Sequence, residues 1–130
     1  MDVIDTFGFN APAEIVYNNL IDPDRTDRWL PGGMTVADRS DGSVRLASGT
    51  DTVDVEVATT GADMRVTFQV VRPLRLHGSA QVKQAPAGGS QIYVAITTDQ
   101  PGPDREAVRR LLDEAMRRLE RDVDDNFTAG

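Results

Sequence analysis

Residues 10–33 read NAPAEIVYNNLIDPDRTDRWLPGG, and this stretch decides the fold because here a strand-like chain breaks twice into helix. Asn10 is placed to cap, Pro12 suits a first helical turn, and Ala13, Val16, Tyr17 and Leu20 recur on one face. Asp22-Pro23 ends that helix and starts a second, which Pro31-Gly32 stops. The expectation is two short helices inserted between a first strand and the rest of a sheet.

On either side the apolar residues alternate. Val3, Phe7 and Phe9 share one parity of a first strand, with Asp5 as the exception, which a frayed or edge position would explain. TVDVEVATT (residues 52–60) and DMRVTFQVV (63–71) flank Gly61-Ala62. A two-residue turn there pairs Val57 with Val66, Val55 with Phe68 and Val53 with Val70, and sets Asp54, Glu56 and Ala58 opposite Gln69, Thr67 and Arg65 on the other face. LRLHGSAQVKQ (74–84) and SQIYVAITT (90–98) surround the loop 86–89, which sets Val82, Ala80 and Gly78 against Ile92, Val94 and Ile96. Small residues on that face mean either close packing or open space in front of it. MTVADRS (34–40) and SVRLAS (43–48) flank an Asp41-Gly42 turn, and only a bulge brings their apolar residues onto one face.

After Pro101-Gly102-Pro103, Asp104 can cap a helix running toward Phe127, about 35 Å long at ~1.5 Å per residue. Val108, Leu111, Leu112, Ala115, Met116, Leu119 and Val123 form its apolar stripe, with the charged residues elsewhere. A coiled coil could use such a stripe. The apolar strand faces, however, already require a cover, and one long helix across a curved antiparallel sheet satisfies both. The fold class expected is therefore α+β, with about seven strands and all of residues 1–130 in one domain.

Composition narrows the function. The chain carries 21 acidic and 14 basic residues, a net charge of −7, and its basic residues are scattered, so a nucleic acid partner is not expected. No Cys is present, which excludes disulfides, thiol catalysis and thiolate metal sites. No run approaches the ~20 apolar residues of a membrane span and the N-terminus lacks a signal pattern, so the expectation is a cytoplasmic protein without stable membrane insertion. A homodimer is left open.

The order strand, two helices, six strands, long helix, together with Ala11-Pro12, Val16, Asp22-Pro23, Trp29 and Leu30-Pro31-Gly32, resembles the START-like or polyketide cyclase/dehydrase superfamily (SRPBCC). Its helix-grip fold is shared with the birch-pollen-allergen proteins. Pro31-Gly32 after Trp-Leu, and RLHGSAQV (75–82), also look like the carbon monoxide dehydrogenase-related branch of that superfamily. The resemblance covers the whole chain and implies a sheet gripping the C-terminal helix, with a cavity between them for sterols, lipids, polyketides or hormones. It implies no cofactor.

Catalysis needs titratable groups directed into that cavity, and the parity pattern supplies almost none. His77 has the parity opposite to the apolar set and no partner at metal or triad spacing, which makes it a surface residue. Asp51, Asp54 and Glu56 form a solvated outer face. Tyr17, Tyr93, Thr97 and Arg39 are the polar candidates for the interior, and Met64 and Met116 supply adaptable walls. Trp29 is first expected as core between the short helices and the sheet, and second as the pocket mouth.

Three functions follow. The favoured one is a non-enzymatic binder of a small hydrophobic ligand, lined by Trp29, Val55, Val57, Val66, Phe68, Leu76, Gly78, Val94, Leu112, Met116 and Leu119, with no metal and no catalytic residue. The alternatives are a cyclase or dehydrase using Tyr17, Tyr93 or Asp5 for proton transfer, and a protein-interaction module with a solid interior, like the superfamily's heat-shock ATPase activators.

Overall fold

A computed structural model describes residues 2–72, 75–98 and 105–129, and the side chains of these except 126–129. Strand β1 (Asp2–Phe9) is followed by helices α1 (Ala13–Ile21) and α2 (Thr26–Trp29). Six strands come next: β2 (Thr35–Ser40), β3 (Ser43–Ser48), β4 (Asp51–Thr60), β5 (Arg65–Arg72), β6 (Leu76–Gln84) and β7 (Ser90–Thr98). Helix α3 (Arg105–Ala129) closes the order. Pro101-Gly102-Pro103 and the Asp104 cap lie outside the described residues. The seven strands form one antiparallel sheet in the order β1-β7-β6-β5-β4-β3-β2, and α3 packs on β1, α1 and α2. This is the helix-grip α+β arrangement.

The start of α1 differs from expectation. Pro12 stands at the cap position without a side-chain cap, and Asn10 is exposed. The backbone N–H of Ala13 donates instead to Gln84 Oε1 at 3.0 Å, and the Ser90 hydroxyl donates to the Ala11 carbonyl at 2.9 Å. Both partners sit at the β6–β7 hairpin, so the helix is capped by the sheet it covers. Its face of Ala13, Val16, Tyr17 and Leu20 is buried as the spacing requires.

The β6–β7 register has Val82 opposite Ile92, Ala80 opposite Val94 and Gly78 opposite Ile96, as expected. The β4–β5 register does not follow the sequence reading. Val57 faces Phe68, Val55 faces Val70 and Thr59 faces Val66, while Glu56, Ala58 and Asp54 face Gln69, Thr67 and Arg72. The cause is the turn: Gly61–Asp63 form a 3-10 helix and Met64 takes the left-handed conformation at φ 49°, so the loop holds two residues more than a two-residue turn. From Val55 to Thr59 the resulting shift of two keeps each side chain on its expected face and changes only its partner, and a further irregularity between Asp54 and Val55 makes the shift three at Asp54. The bulge needed in β2 falls between Val36 and Asp38.

Along α3, Val108, Ala115, Met116, Leu119 and Val123 are buried, whereas Leu111 is 39% exposed and forms the margin of the stripe. Asp5 is not frayed. It pairs with Val94 of β7 from within β1, which is an edge strand as the second explanation expected, and its carboxylate lies 3.8 Å from Arg109 of α3.

The two halves of the sheet are covered unequally. On β1, β7 and β6 the inner residues Val3, Phe9, Ile92, Val94, Ile96 and Val82 are buried. On β3, β4 and β5 the inner residues Val44, Leu46, Val55, Val57, Val66 and Phe68 are only half-buried. Width explains the difference, because seven strands at ~4.8 Å spacing span roughly 30 Å while a helix is only about 10 Å across. Helices α3 and α1 cover one half, and the other is left with the four residues of α2 and the segment after it.

Candidate functional site: a cavity under the sheet

Where cover is missing, the fold leaves an open-sided cavity of about 550 Å³. Its wall is the inner face of β3, β4 and β5, and its floor includes Ala80 of β6 and Val94 of β7. Trp29, Leu30, Pro31 and Met34 form the side toward α2, and Leu112 and Met116 of α3 the side opposite the sheet. The β2–β3 turn, residues 40–43, stands at one end, where Gly42 takes a positive φ of 73° that glycine adopts at no steric cost.

Of the residues expected to line such a space, Trp29, Val55, Val57, Val66, Phe68, Val94, Leu112 and Met116 do so. Leu76, Gly78 and Leu119 do not. Leu119 is wholly buried in the core of α1, α3 and the sheet, and Leu76 packs half-buried against that core. Gly78 lies beneath the ring of Phe68, its pairing partner on β5, and a Cβ there would stand 2.7 Å from Phe68 Cζ. Both readings of the small residues hold, at neighbouring sites: close packing at Gly78 and open space at Ala80. Spacing carries no sign of Met34 or of residues 40–43, because a loop's approach to a cavity leaves no periodic signal.

Trp29 combines its two expected roles. It packs against the core cluster, remains half-buried and lines the cavity, and its Nε1 is buried with no hydrogen-bond partner among the described residues. Trp29→Ala is therefore expected to cost ~1–2 kcal/mol, less than the ~3–5 typical of a fully buried aromatic, in urea denaturation.

The α2 segment is held in place by polar contacts. Asp122 of α3, 5% exposed, accepts from Arg25 Nη1 at 2.7 Å and from Asn19 Nδ2 at 3.1 Å, with Arg28 Nη1 at 3.5 Å. Arg118 Nη1 donates to the Leu30 carbonyl at 3.2 Å, and Val36 N donates to Asp27 Oδ1 at 2.8 Å. This clamp is absent from the sequence expectations. A signal for it exists, since Asp122 falls beside Val123 and three residues after Leu119, on the face of an amphipathic helix where an acid is out of place.

The candidate acid–base residues are not assembled. Tyr17 is buried in the core, Tyr93 is 41% exposed on the outer face, and Asp5 faces Arg109; neither these nor Thr97 lines the cavity, whereas Arg39 does. His77 is exposed. On the outer face Arg45 Nε donates to Asp54 Oδ1 at 2.9 Å, and that hydrogen bond holds the guanidinium pKa above its ordinary value. No helix among the described residues is long and apolar enough to cross a membrane.

A sheet gripping a C-terminal helix over an apolar cavity defines a START-like (SRPBCC) fold, and comparison with solved structures agrees. A START superfamily protein from Mycobacterium smegmatis matches with a TM-score of 0.74 at 14% identity, over 95% of this chain and 97% of that one. The Zhui aromatase/cyclase from Streptomyces sp. R1128 matches with a TM-score of 0.71 at 13% identity, over 98% and 95%. DynU16, from the dynemicin biosynthetic locus, matches with a TM-score of 0.76 at 20% identity, over 96% of this chain and 48% of that one. No family model and no curated protein sequence matches the chain. Likeness at this identity shows the fold, and it does not single out the carbon monoxide dehydrogenase-related branch.

Proposed function

We propose that this protein binds, and so carries or sequesters, a small hydrophobic molecule in the cavity between β3–β5 and α3. The observation that carries the reading is an apolar space of about 550 Å³ from which Tyr17, Tyr93 and Asp5 are all absent. Its volume falls within the ~300–1,000 Å³ of ligand pockets, and its walls are mostly apolar with few polar groups, the usual composition of such sites. Each half-exposed Val, Leu or Phe of the wall would gain about 1 kcal/mol from being covered by an apolar ligand. An open cavity of this kind is also what a solid interaction module would lack.

The test is uptake of the neutral fluorescent probe N-phenyl-1-naphthylamine, with native mass spectrometry for ligands retained through purification. Saturable uptake at one site is expected, and no uptake by a folded protein would sink the reading. Ala80→Phe places a ring into the cavity floor and is expected to abolish uptake at a stability cost of ~1 kcal/mol or less, because the volume it fills is open. Unchanged uptake with a strongly lowered melting temperature would place the probe elsewhere.

A further inference from the structure

We propose that the molecule this cavity takes is an amphipathic anion, whose acidic head is held by Arg39 while its apolar body lies along β3–β5; the proposal rests on the binding reading above. The observation behind it is the segregation of polarity in the lining. Its polar residues besides Trp29 are Thr26, Arg39, Ser40, Asp41, Ser43 and Thr59, of which Ser40 and Ser43 stand in register with Glu56 on the outer-face parity. They gather at one end: four lie in the β2–β3 turn region, Thr26 is joined to it by a hydrogen bond from Arg39 Nη2 at 3.1 Å, and Thr59 stands two residues past Val57, whose N–H donates to the Gly42 carbonyl. The rest of the lining is apolar or glycine. A ligand matched to such a cavity has one polar end and a long apolar remainder.

Charge identifies the polar end. Arg39 is the one basic residue of the lining among the described residues, in a chain with seven more acidic than basic residues. Elsewhere five arginines meet carboxylates: Arg25 and Arg28 meet Asp122, Arg45 meets Asp54, Arg109 meets Asp5 and Arg118 meets Glu114, while Arg65 on the outer face donates to the neutral Gln81 Oε1 at 3.0 Å. The Arg39 guanidinium also donates to a neutral partner, a hydroxyl, and among the described residues it forms no ion pair with Asp41, the one carboxylate of the lining. A guanidinium has five N–H donors in a rigid fork suited to two oxygens of one acid, so most of this capacity remains to be used. Asp41 opposes an anion here; it and Arg39 are both exposed, so salt screens the field of each, and what favours the anion is the direct contact of its head group with the guanidinium.

Two probes with the same aromatic body separate the head from the tail: neutral N-phenyl-1-naphthylamine and its sulfonate, 1-anilinonaphthalene-8-sulfonate. Wild-type protein is expected to bind the sulfonate more tightly. Arg39→Gln is expected to weaken the sulfonate by roughly three- to tenfold, the range between an exposed and a charge-assisted contact, and the neutral probe by less than about twofold. Arg65→Gln makes the same change of net charge on the outer face and is expected to discriminate between neither. Decanoate is expected to displace both probes, and acetate, which has the head without the body, to displace neither. Equal weakening of both probes by Arg39→Gln, or no preference for the sulfonate in the wild type, would overturn the inference while leaving hydrophobic binding intact. Failure of the wild type to take up even the neutral probe would overturn the binding reading itself, and this inference with it.

Discussion

Asp122→Ala is expected to lose about 3–5 kcal/mol of folding stability, the cost of removing one partner from a buried ion pair. The carboxylate is 5% exposed and receives Arg25 on one oxygen and Asn19 on the other. Without it, the amide of Asn19, itself 3% exposed, and the three-quarters-covered guanidinium of Arg25 each lose an acceptor where water has little access. Arg28, whose side chain is 62% exposed, contributes little by comparison. Urea denaturation of wild type, Asp122→Ala and Asp122→Asn measures the effect. The Asn variant keeps an acceptor for Asn19 and loses the charge, so it is expected to fall between the other two. A loss below about 1 kcal/mol for Asp122→Ala would mean that water replaces the carboxylate and that the cluster is not a clamp. Because the same carboxylate ties Arg25, directly before α2, to α3, probe uptake by the Ala variant is expected to weaken even where the protein remains folded.

How much of this is legible in the sequence depends on the distance over which each feature is decided. The apolar parity of β1, β6 and β7, the buried face of α1 and the β6–β7 register follow from residues a few positions apart, and all three hold in the structure. The β4–β5 partners differ from the sequence expectation because the turn is set by Met64 adopting a left-handed angle that sequence assigns to glycine. Parity is immune to that error, so the faces survive a wrong register. Local sequence assigns the capping of α1 to Asn10, whereas the acceptor comes from Gln84, 71 positions away from Ala13. The split between cavity and core is the least legible feature. Leu112 and Leu119 lie on one helical stripe and differ only in what covers them: open space toward β5 for the first, and α1 with the β1 half of the sheet for the second. That distinction arises from the width of the sheet against the width of one helix, which no local pattern records.

The second large effect is expected at Gly78, where the two halves of the sheet meet. Gly78→Val is expected to cost ~3 kcal/mol, at the upper end for overpacking. A Cβ at this position would overlap the Ala95 carbonyl oxygen and stand 3.2 Å from Ile96 Cα, both backbone atoms of β7, as well as 2.7 Å from the Phe68 ring. A side chain can turn away, but a strand paired on both sides cannot withdraw without stretching its ladder to β1 or β6. Phe68→Leu combined with Gly78→Val separates the two sources of conflict. If the ring were the main obstacle, the double variant would recover most of the loss. The backbone contacts instead predict recovery of less than about half, read as a coupling energy in a double-mutant cycle. The consequence for the cavity follows from position: Phe68 lines it and rests on Gly78, so a residue that lifts the ring drives it into the space a ligand would occupy. Gly78→Val is therefore expected to reduce probe uptake although Gly78 itself never touches the cavity, and full uptake in a destabilised Gly78→Val protein would show that the ring moves elsewhere.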